Sequence, residues 1–285
     1  MTGRHLTLVL LAALTACGAS GGDDDTPAVV APAPTPTPSP TPATTRWTPR
    51  LTDSWTWQLS GTIDTGVDAA IYDIDLFDTP TATIAALHAG GRRVLCYVSA
   101  GSSEDWRPDD ARFAAGDRGR ALDGWPGERW LDIRSTTVRT VIADRIRLAA
   151  TRGCDGVEPD NVDGYDNATG FPLTAADQLA YNRFLATSAH AAGLAIALKN
   201  DVAQLADLAP DFDLAVNEQC HEFDECAGYR AFTDRGKPVL NAEYAAVWRT
   251  DAAARARLCA TAAGEKLRTL VLPMQLDASF RYACP

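Results

Sequence analysis

Histidine and basic residues are scarce in this sequence. The chain of 285 residues has four histidines, and the three beyond the signal-like start, His88, His190 and His221, are far apart. A tetrahedral zinc site takes four ligands, and histidines this far apart in sequence do not form a metal-binding motif, so we predict no metal. We also predict no cofactor. The 26 lysines and arginines are outnumbered by 37 aspartates and glutamates, which gives a net charge of −11. Such a chain repels nucleic acid and anionic lipid and attracts cationic ligands, so we predict no nucleic-acid partner.

Apolar stretches long enough to cross a bilayer are also lacking. The run LTLVLLAALTAC follows Arg4 and His5, ends at Cys17, and falls short of the about 20 residues of a transmembrane helix. Its basic start, apolar centre and small final residues are typical of a secretory signal, and its end resembles a bacterial lipobox. We predict that residues 1–16 are a lipoprotein signal and that Cys17 is lipidated. An N-terminal helix of the domain is the alternative, disfavoured because nothing amphipathic follows.

A proline-rich segment follows the cysteine. Seven prolines lie between Pro27 and Pro42, which excludes helix and sheet and favours an extended stalk over residues 17–46. The stalk would hold a monomeric domain, residues 47–285, off a membrane in an extracytoplasmic space. In many bacteria with two membranes, an aspartate directly after the lipidated cysteine keeps a lipoprotein in the inner membrane. This chain has Gly18 at that position, so we expect it to be anchored in the outer membrane if the cell has one.

Six cysteines remain after Cys17, and an even number in an exported chain favours disulfides. Six cysteines allow 15 pairings, so the sequence leaves the connectivity open. We favour Cys220 with Cys226 as one pair. Because His221 lies between them, zinc is an alternative, but the chain offers few further ligands.

The domain alternates short apolar runs with helical patterns. Helices are predicted from Thr79-Pro80 to Gly90, from Ser135 to Gly153, from Thr174 to Gly193 and from Thr250 to Gly264. Eight strands are predicted, at residues 56–61, 69–76, 93–101, 155–161, 194–200, 213–220, 238–244 and 269–275. This number of units fits a single α/β domain, a (β/α)8 TIM barrel of about 250 residues. A doubly wound sheet is the rival, but no GxGxxG follows the first strand.

Carboxylates and amides collect where these strands end, which in a barrel is where catalytic residues lie. The stretch GCDGVEPDNVDGY is the densest case. Side chains alternate along a strand, so Glu158 and Asp160 would point into the barrel mouth if Val157 packs outward. We assign Asp163 to a turn, and Val162 stands where a calcium loop would need an oxygen ligand.

Several motifs occur in an order and spacing that resemble one enzyme family: YDIDLFDT, CYVSAGSSEDWRPD, GWPGERWLDIR, GCDGVEPDNVDGY, GLAIALKN, AVNEQC and VLNAEY. Together they resemble glycoside hydrolase family 114, the endo-α-1,4-polygalactosaminidase family of TIM barrels, over residues 55–244. The resemblance implies hydrolysis of α-1,4-linked galactosamine polymers, with Asp160 and Glu218 as the catalytic pair.

Glycoside hydrolysis needs two carboxyl groups, and we expect Asp160 to attack while Glu218 donates the proton, with retention of configuration. Lys199, between them, would keep Asp160 ionised. Further candidates for substrate contact are Asp73, Tyr97, Ser99, Glu158, Asn161, Asn241, Glu243 and Trp125. Trp106 and Trp125 could stack on sugars, whereas Trp130 is assigned to the core.

Two alternatives stay open. The chain could hydrolyse neutral α-galactosides, or it could be a non-catalytic carbohydrate-binding lipoprotein. The presence of both Asp160 and Glu218 favours an enzyme, and the acidic balance favours a cationic or partly acetylated galactosamine polysaccharide.

Overall fold

The computed structural model describes residues 46–285. The predicted signal, Cys17 and the proline-rich segment through residue 45 lie outside the described residues. Within the described part, no helix is both long enough and apolar enough to span a bilayer.

The described residues form an α/β fold around one curled sheet of nine strands, in the order β1-β2-β3-β7-β8-β9-β10-β11-β12. Each of the first eight runs parallel to its neighbour, and β12 is a short antiparallel addition. A smaller antiparallel sheet, β4-β6-β5, follows β3. The strand bounds are β1 Trp55–Gln58, β2 Ile71–Asp75, β3 Arg93–Ser99, β4 Ser102–Glu104, β5 Arg118–Ala121, β6 Glu128–Leu131, β7 Gly156–Asp160, β8 Ala195–Lys199, β9 Leu214–Glu218, β10 Val239–Glu243, β11 Leu267–Val271 and β12 Tyr282–Ala283.

Seven α-helices lie within residues 46–285, and the long ones connect consecutive parallel strands. Their bounds are α1 Thr81–Ala89, α2 Thr136–Arg152, α3 Ala175–Ala191, α4 Leu205–Leu208, α5 Arg230–Thr233, α6 Ala246–Thr250 and α7 Ala252–Glu265.

The predicted helix ends are confirmed at three helices. Ser135 accepts the first-turn N–H of α2, and Gly153 ends that helix with φ of 92°, a left-handed value that glycine adopts without strain. Thr174 and Asp177 form a reciprocal capping box at α3. The fourth helix was wrong at both ends, because Thr250 closes the short helix α6, Asp251 caps α7, and α7 continues past Gly264 to Glu265.

The eight predicted parallel strands are present in the predicted order, each shorter than its sequence pattern. The last one, β11, begins at Leu267 instead of residue 269 and ends at Val271, so Gln275 lies beyond the strand. The two ends of the parallel series approach each other: Trp55 Nε1 on β1 donates to the Arg268 carbonyl on β11 at 2.6 Å, and Leu59 N donates to the Leu276 carbonyl at 3.0 Å.

Two apolar clusters show which side of the sheet each residue faces. The larger one packs the outer face against the helices and includes Val157, Ile196 and Ala215. The smaller one fills the inner face and includes Leu95, Val216 and others. Because faces alternate along a strand, Glu158 and Asp160 face inward opposite Val157, as the sequence predicted. The inner face therefore carries apolar residues deep inside and polar residues near the carboxyl ends of the strands.

Candidate active site

A cavity of about 300 Å³ lies at the carboxyl ends of the parallel strands. Three adjacent strands, β7, β8 and β9, end at this cavity with Asp160, Lys199 and Glu218. The wall also contains aromatic, amide and acidic side chains: Trp57, Tyr97, Trp125, Glu128, Asn161, Asp163, Asn200 and Gln219. The site thus follows from strand alternation, which turns the last residue of each of these strands inward.

Asp160 is held by three hydrogen-bond donors. Lys199 Nζ lies 2.9 Å from Oδ1, the backbone N–H of Asn161 donates to the same oxygen at 2.8 Å, and the Tyr97 hydroxyl donates to Oδ2 at 3.0 Å. Burial alone would raise the pKa of Asp160, but the Lys199 charge and these hydrogen bonds outweigh it and place the pKa below its ordinary value. Asp160 is therefore ionised at neutral pH.

Glu218 shares the same lysine. Lys199 Nζ lies 2.9 Å from Oε2, and the Tyr244 hydroxyl donates to Oε1 at 2.5 Å. The backbone N–H of Glu218 donates to Asn200 Oδ1 at 2.9 Å, which fixes the end of the strand. The Glu218 side chain is 26% exposed, so it can meet a ligand in the cavity.

Lys199 links the two carboxylates and sets their separation. Its ammonium contacts Asp160 Oδ1 and Glu218 Oε2 at 2.9 Å each, so these oxygens can lie no farther apart than twice 2.9 Å, or 5.8 Å. Burial opposes charge on Lys199, yet Asp160, Glu218 and Glu158 together raise its pKa well above the ordinary value. The ammonium also lies 5.1 Å from the centre of the Trp57 ring.

The turns that follow these three strands share one backbone geometry. Asn161, Asn200 and Gln219 each come directly after a strand and have φ of 60°, 47° and 65°. Asparagine adopts this left-handed region more readily than most residues. The loop after β3 presses on the first of these turns at Gly101, where a Cβ atom would lie 1.6 Å from the Asn161 carbonyl oxygen. A side chain at Gly101 would displace that turn.

Comparison with known proteins places this site in a family. A profile described as Glycoside-hydrolase family GH114 matches residues 36–284. The chain belongs to glycoside hydrolase family 114. A crystal structure of Aspergillus fumigatus Ega3 in complex with galactosamine is similar at 42% identity and a TM-score of 0.79, over 85% of this chain and 98% of that chain.

The glycoside hydrolase domain of PelA from Pseudomonas aeruginosa has the same fold. It is 16% identical, with a TM-score of 0.63 over 79% of this chain and 96% of that chain. A comparison with curated proteins found no match. Membership of family 114, shown by the profile match and the similarity to Ega3, makes the chain a glycosidase.

The structure brings some of the predicted substrate-contact residues of this family 114 enzyme to the cavity wall and leaves others away from it. Tyr97, Asn161, Lys199 and Trp125 line the cavity with Asp160 and Glu218. Trp125 is 51% exposed there, whereas Trp106 is exposed outside the cavity wall. Trp130 is buried, which confirms its assignment to the core.

Asp73 and Glu158 lie buried beneath the cavity. Neither carboxyl group meets a donor from any other residue, although Glu158 Oε1 is 3.7 Å from Lys199 Nζ; a proton on either one forms a hydrogen bond between the two. Burial raises the pKa of Asp73 to about 7, and burial together with Asp73 raises the pKa of Glu158 well above its ordinary value. The pair therefore holds at least one proton at neutral pH, and it supports the floor of the site.

Ser99 is also buried, within a hydrogen-bonded chain behind Asn161. Asn161 Nδ2 donates to Ser99 Oγ at 3.1 Å, Ser99 Oγ lies 2.6 Å from Ser102 Oγ, and Ser102 donates to Glu128 Oε2 at 2.6 Å. Burial raises the pKa of Glu128, which lines the cavity. Sequence reasoning missed Glu128, because it begins β6 in the small antiparallel sheet and no strand-end pattern marks it.

Asn241 and Glu243 face away from the cavity. On β10 the inward residues are Ala242 and, just past the strand, Tyr244, so alternation turns Asn241 and Glu243 to the outer face. There Glu243 Oε1 accepts the backbone N–H of His221 at 2.9 Å. Tyr244 instead faces inward, as alternation from Leu240 predicts, and donates to Glu218, but it does not line the cavity.

Asp163 serves more than the turn assigned to it. It precedes a short 3-10 helix, Gly164–Asp166, but its side chain makes no cap and instead lines the cavity. Burial first, and then the charge of Asp160, raises the pKa of Asp163 to about 6. The cavity wall is therefore more acidic than the strand ends alone predict.

A second cavity of about 490 Å³ adjoins the first. The two share Asp163, Asn200, Glu218 and Gln219, so Glu218 stands at their junction. We call them the Asp160 cavity and the Asp201 cavity, because Asp201 lines only the second.

The six cysteines of the described residues form three disulfides: Cys96–Cys154, Cys220–Cys226 and Cys259–Cys284. The pairing favoured from sequence, Cys220 with Cys226, is confirmed. These two sulfurs and His221 lie close enough together to hold a metal ion, but sulfurs joined in a disulfide are not thiolate ligands.

Proposed function

We propose that this enzyme cleaves α-1,4-galactosaminide linkages within a galactosamine-containing polysaccharide, acting inside the chain and retaining the anomeric configuration. The observation that carries the proposal is the Asp160–Lys199–Glu218 arrangement: two carboxylates across one buried ammonium at the mouth of the sheet. Galactosamine is the sugar named for the 42% identical Ega3 complex, which supports an amino sugar here. We further propose that the curled sheet closes as the (β/α)8 barrel.

In the first step Asp160 attacks. Its ionised carboxylate forms a bond to the anomeric carbon, the glycosidic C–O bond breaks, and the leaving oxygen takes a proton from the Glu218 carboxyl group. Asp160 suits the attacking role because three donors hold it ionised and oriented. Glu218 contacts Lys199 as a carboxylate in the free enzyme, so it must take up a proton from solvent before this step. It suits the donor role because it stands at the junction of the two cavities, where the leaving sugar would lie.

In the second step water replaces the leaving sugar. Glu218, now ionised, accepts a proton from that water while the water oxygen bonds to the anomeric carbon and the bond to Asp160 breaks. The product keeps the α configuration, since the carbon is inverted twice. Lys199 stays positively charged throughout and offsets the negative charge that forms on Glu218 and returns to Asp160.

The separation of the two carboxylates supports retention. Carboxyl groups of retaining enzymes lie about 5 to 5.5 Å apart, and those of inverting enzymes about 6.5 to 9.5 Å apart. The Asp160 and Glu218 oxygens that contact Lys199 lie within 5.8 Å of each other, and this bound on one oxygen pair is nearer the retaining range than the inverting range.

Two features support cleavage within a polymer. The Asp160 cavity and the Asp201 cavity meet at Glu218, which supports a groove with room for more than one sugar unit. Trp125, which is 51% exposed in the first cavity, offers a ring for packing against a sugar face. Acidic walls suit a polymer with an ammonium on each unacetylated unit.

The remaining part of the proposal concerns location. The three disulfides fit an extracytoplasmic compartment. We propose that Cys17 anchors the enzyme to the membrane through lipid and that the proline-rich segment holds the domain away from it, in the outer membrane if the cell has two.

The direct test is a substrate screen with the full chain. Released reducing ends would be measured on α-1,4-galactosaminan, on its N-acetylated form and on neutral α-galactosides. We expect the free or partly acetylated polymer to be cleaved, with internal cuts that shorten long chains before small products accumulate. Cleavage of neutral α-galactosides alone, or binding without cleavage, would replace the proposal with one of those functions.

The mechanism is tested by two variants and one spectrum. Asp160→Asn should bind polymer without turnover, and Glu218→Gln should keep part of its activity on a substrate with an activated leaving group, which needs no proton donor in the first step. Proton NMR should show α product at early times. A β product would refute retention.

A further inference from the structure

Tyr244 is a buried residue that contacts Glu218 from outside the cavity wall. It is 5% exposed and belongs to the inner apolar cluster. Its hydroxyl donates to Glu218 Oε1 at 2.5 Å, a distance typical of an O–H group bonded to a carboxylate. Such charge-assisted bonds are about twice as strong as bonds between neutral groups. Tyr244 therefore contacts the proposed proton donor and not the cavity.

The two oxygens of Glu218 meet different donors. Lys199 Nζ lies 2.9 Å from Oε2, and Tyr244 holds Oε1. The last torsion of a glutamate side chain is broad, so a single contact leaves the carboxyl group free to turn. Two donors on opposite oxygens fix its plane. Lys199 is shared with Asp160, whereas among residues 46–285 the Tyr244 hydroxyl bonds only to Glu218.

Backbone hydrogen bonds hold the segment of Tyr244 on both sides. Tyr244 directly follows β10. The Gln219 N–H donates to the Ala242 carbonyl at 2.8 Å. On the other side, the Leu272 N–H donates to the Glu243 carbonyl at 3.0 Å. The end of β10 is thus tied to the turn after β9 and to the chain after β11.

The outer face of β10 adds side-chain links to the end of β9 and the loop that follows it. Asn241 Nδ2 donates to Asn217 Oδ1 at 2.9 Å, and Asn217 directly precedes Glu218. Glu243 Oε1 accepts the backbone N–H of His221 at 2.9 Å. Asn241, Asn217 and Glu243 are all buried. These links fix β10 against the residues on both sides of Glu218, so the Tyr244 hydroxyl stays opposite its acceptor.

The surroundings of Tyr244 keep its hydroxyl protonated. Burial first, and then the negative charge of Glu218, raises the pKa of Tyr244 well above its ordinary value. The hydroxyl is therefore a donor throughout the neutral range. A donor stabilises the ionised form of a carboxyl group and opposes its protonation. Glu218 must be protonated in the first step and ionised in the second, so this bond affects both steps.

We infer that Tyr244 is a positioning residue for Glu218: its hydroxyl fixes the plane of the Glu218 carboxyl group and sets the pH above which that group no longer supplies a proton. The inference rests on the proposed function, in which Glu218 is the proton donor. The effect passes through Glu218, since Tyr244 is not among the residues that line the cavity.

The test begins with Tyr244→Phe in the full chain, which keeps the ring and removes the hydroxyl. On galactosamine polymer, kcat/KM at its optimal pH should fall about tenfold, the effect of one charge-assisted hydrogen bond, while KM changes less than about twofold. The basic limb of the kcat/KM profile should move up by about one pH unit, because ionised Glu218 has lost a donor. The acidic limb, which reports Asp160, should not move.

Tyr72→Phe is the matched control. Tyr72 is buried on β2, and its hydroxyl donates to the Val67 carbonyl, which precedes that strand. Both variants should lose stability in urea unfolding, but Tyr72→Phe should keep the wild-type pH profile. A second substrate separates positioning from structure. On a galactosamine oligomer with an activated aryl leaving group, Tyr244→Phe should differ from the wild type by less than about twofold, because the first step needs no proton donor.

The outcomes separate this inference from the proposed function. A wild type that cleaves no galactosamine polymer would overturn the proposed function, and the inference with it. A wild type that cleaves the polymer and loses this activity in Glu218→Gln, but keeps its basic limb in Tyr244→Phe, would overturn the inference alone. An equal loss on polymer and on the activated substrate would do the same.

A variant with the opposite expected effect covers the case in which Tyr244→Phe does not fold. Tyr244→3-fluorotyrosine keeps the hydroxyl and makes it a stronger donor, because the fluorine withdraws electrons from the ring. Its basic limb should move to lower pH, since the ionised form of Glu218 gains stability. A basic limb that stays in place would overturn the positioning role.

Discussion

Replacing Lys199 with methionine is the most informative single perturbation of this site. The ammonium of Lys199 is the buried cation that contacts Asp160 and Glu218 at 2.9 Å each and approaches Glu158 at 3.7 Å. Lys199→Met keeps the length of the side chain and removes the charge. Three inward carboxyl groups would then face one another without a cation.

The magnitude follows from the distances. Two unit charges 2.9 Å apart attract by about 6 kcal/mol at an effective dielectric constant of about 20. Desolvation of the charged groups opposes much of this, and removal of one partner from a buried pair costs about 3 to 5 kcal/mol of unfolding free energy. We expect that loss at neutral pH, together with at least about a 100-fold fall in kcat/KM.

The pH dependence gives the sign of the effect. Because the pKa of Asp160 is lowered in the folded state, its contribution to stability is present above the unfolded pKa and is lost as the pH falls through the folded pKa. Activity needs the ionised form and should decline over the same acidic range. Without Lys199 the pKa of Asp160 rises, so activity should begin to fall at a higher pH, and the destabilisation should shrink as the carboxyl groups take up protons.

The assay combines a pH profile of kcat/KM with urea unfolding at pH 7 and pH 5. Lys266→Met is the matched control, because Lys266 is exposed after α7 and outside the site. A folded Lys199→Met variant whose acidic limb coincides with that of the wild type would refute the electrostatic role of Lys199.

Three further predictions concern the anchor, the substrate and the disulfides. Cys17→Ala should leave the protein soluble or unprocessed in cell fractionation, and partition into membranes like the wild type would contradict the anchor. Rising salt should raise KM on a cationic polymer while kcat stays nearly constant, since charges beyond about 8 Å are screened at physiological ionic strength; a KM independent of salt would contradict charge recognition. Removing Cys96–Cys154, which spans 58 residues, should cost about 4 kcal/mol of unfolding free energy, against about 2 kcal/mol for Cys220–Cys226, which spans 6. Equal losses in urea unfolding would contradict the loop-length argument.

The parallel strands could be predicted because each one carries a local signal. Apolar runs bounded by turn residues mark all eight, and the alternation around Val157 correctly placed Glu158 and Asp160 on the inner face. The pattern overestimated each strand's length, since flanking residues such as Tyr244 continue the apolar pattern after the ladder of backbone hydrogen bonds has ended.

The depth of a polar residue inside the sheet could not be predicted in the same way. Asp73 and Glu158 face inward as expected, but whether such a residue reaches the cavity depends on the stagger between strands, which local sequence does not reveal. Glu128 and Asp163 were missed for a related reason. They reach the wall from a side sheet and a turn, so only the three-dimensional arrangement identifies them.

The shared left-handed turn after β7, β8 and β9 has a consequence for mutational tolerance. A saturation library at Asn161, Asn200 and Gln219 should be enriched in glycine, asparagine and aspartate and depleted in valine and isoleucine, whatever substrate is used for selection. Backbone geometry would thus constrain these positions separately from chemistry. Efforts to engineer the enzyme towards new sugars would gain more from varying the other wall residues of the cavity, such as Trp125 and Leu122, than from varying these three turn residues.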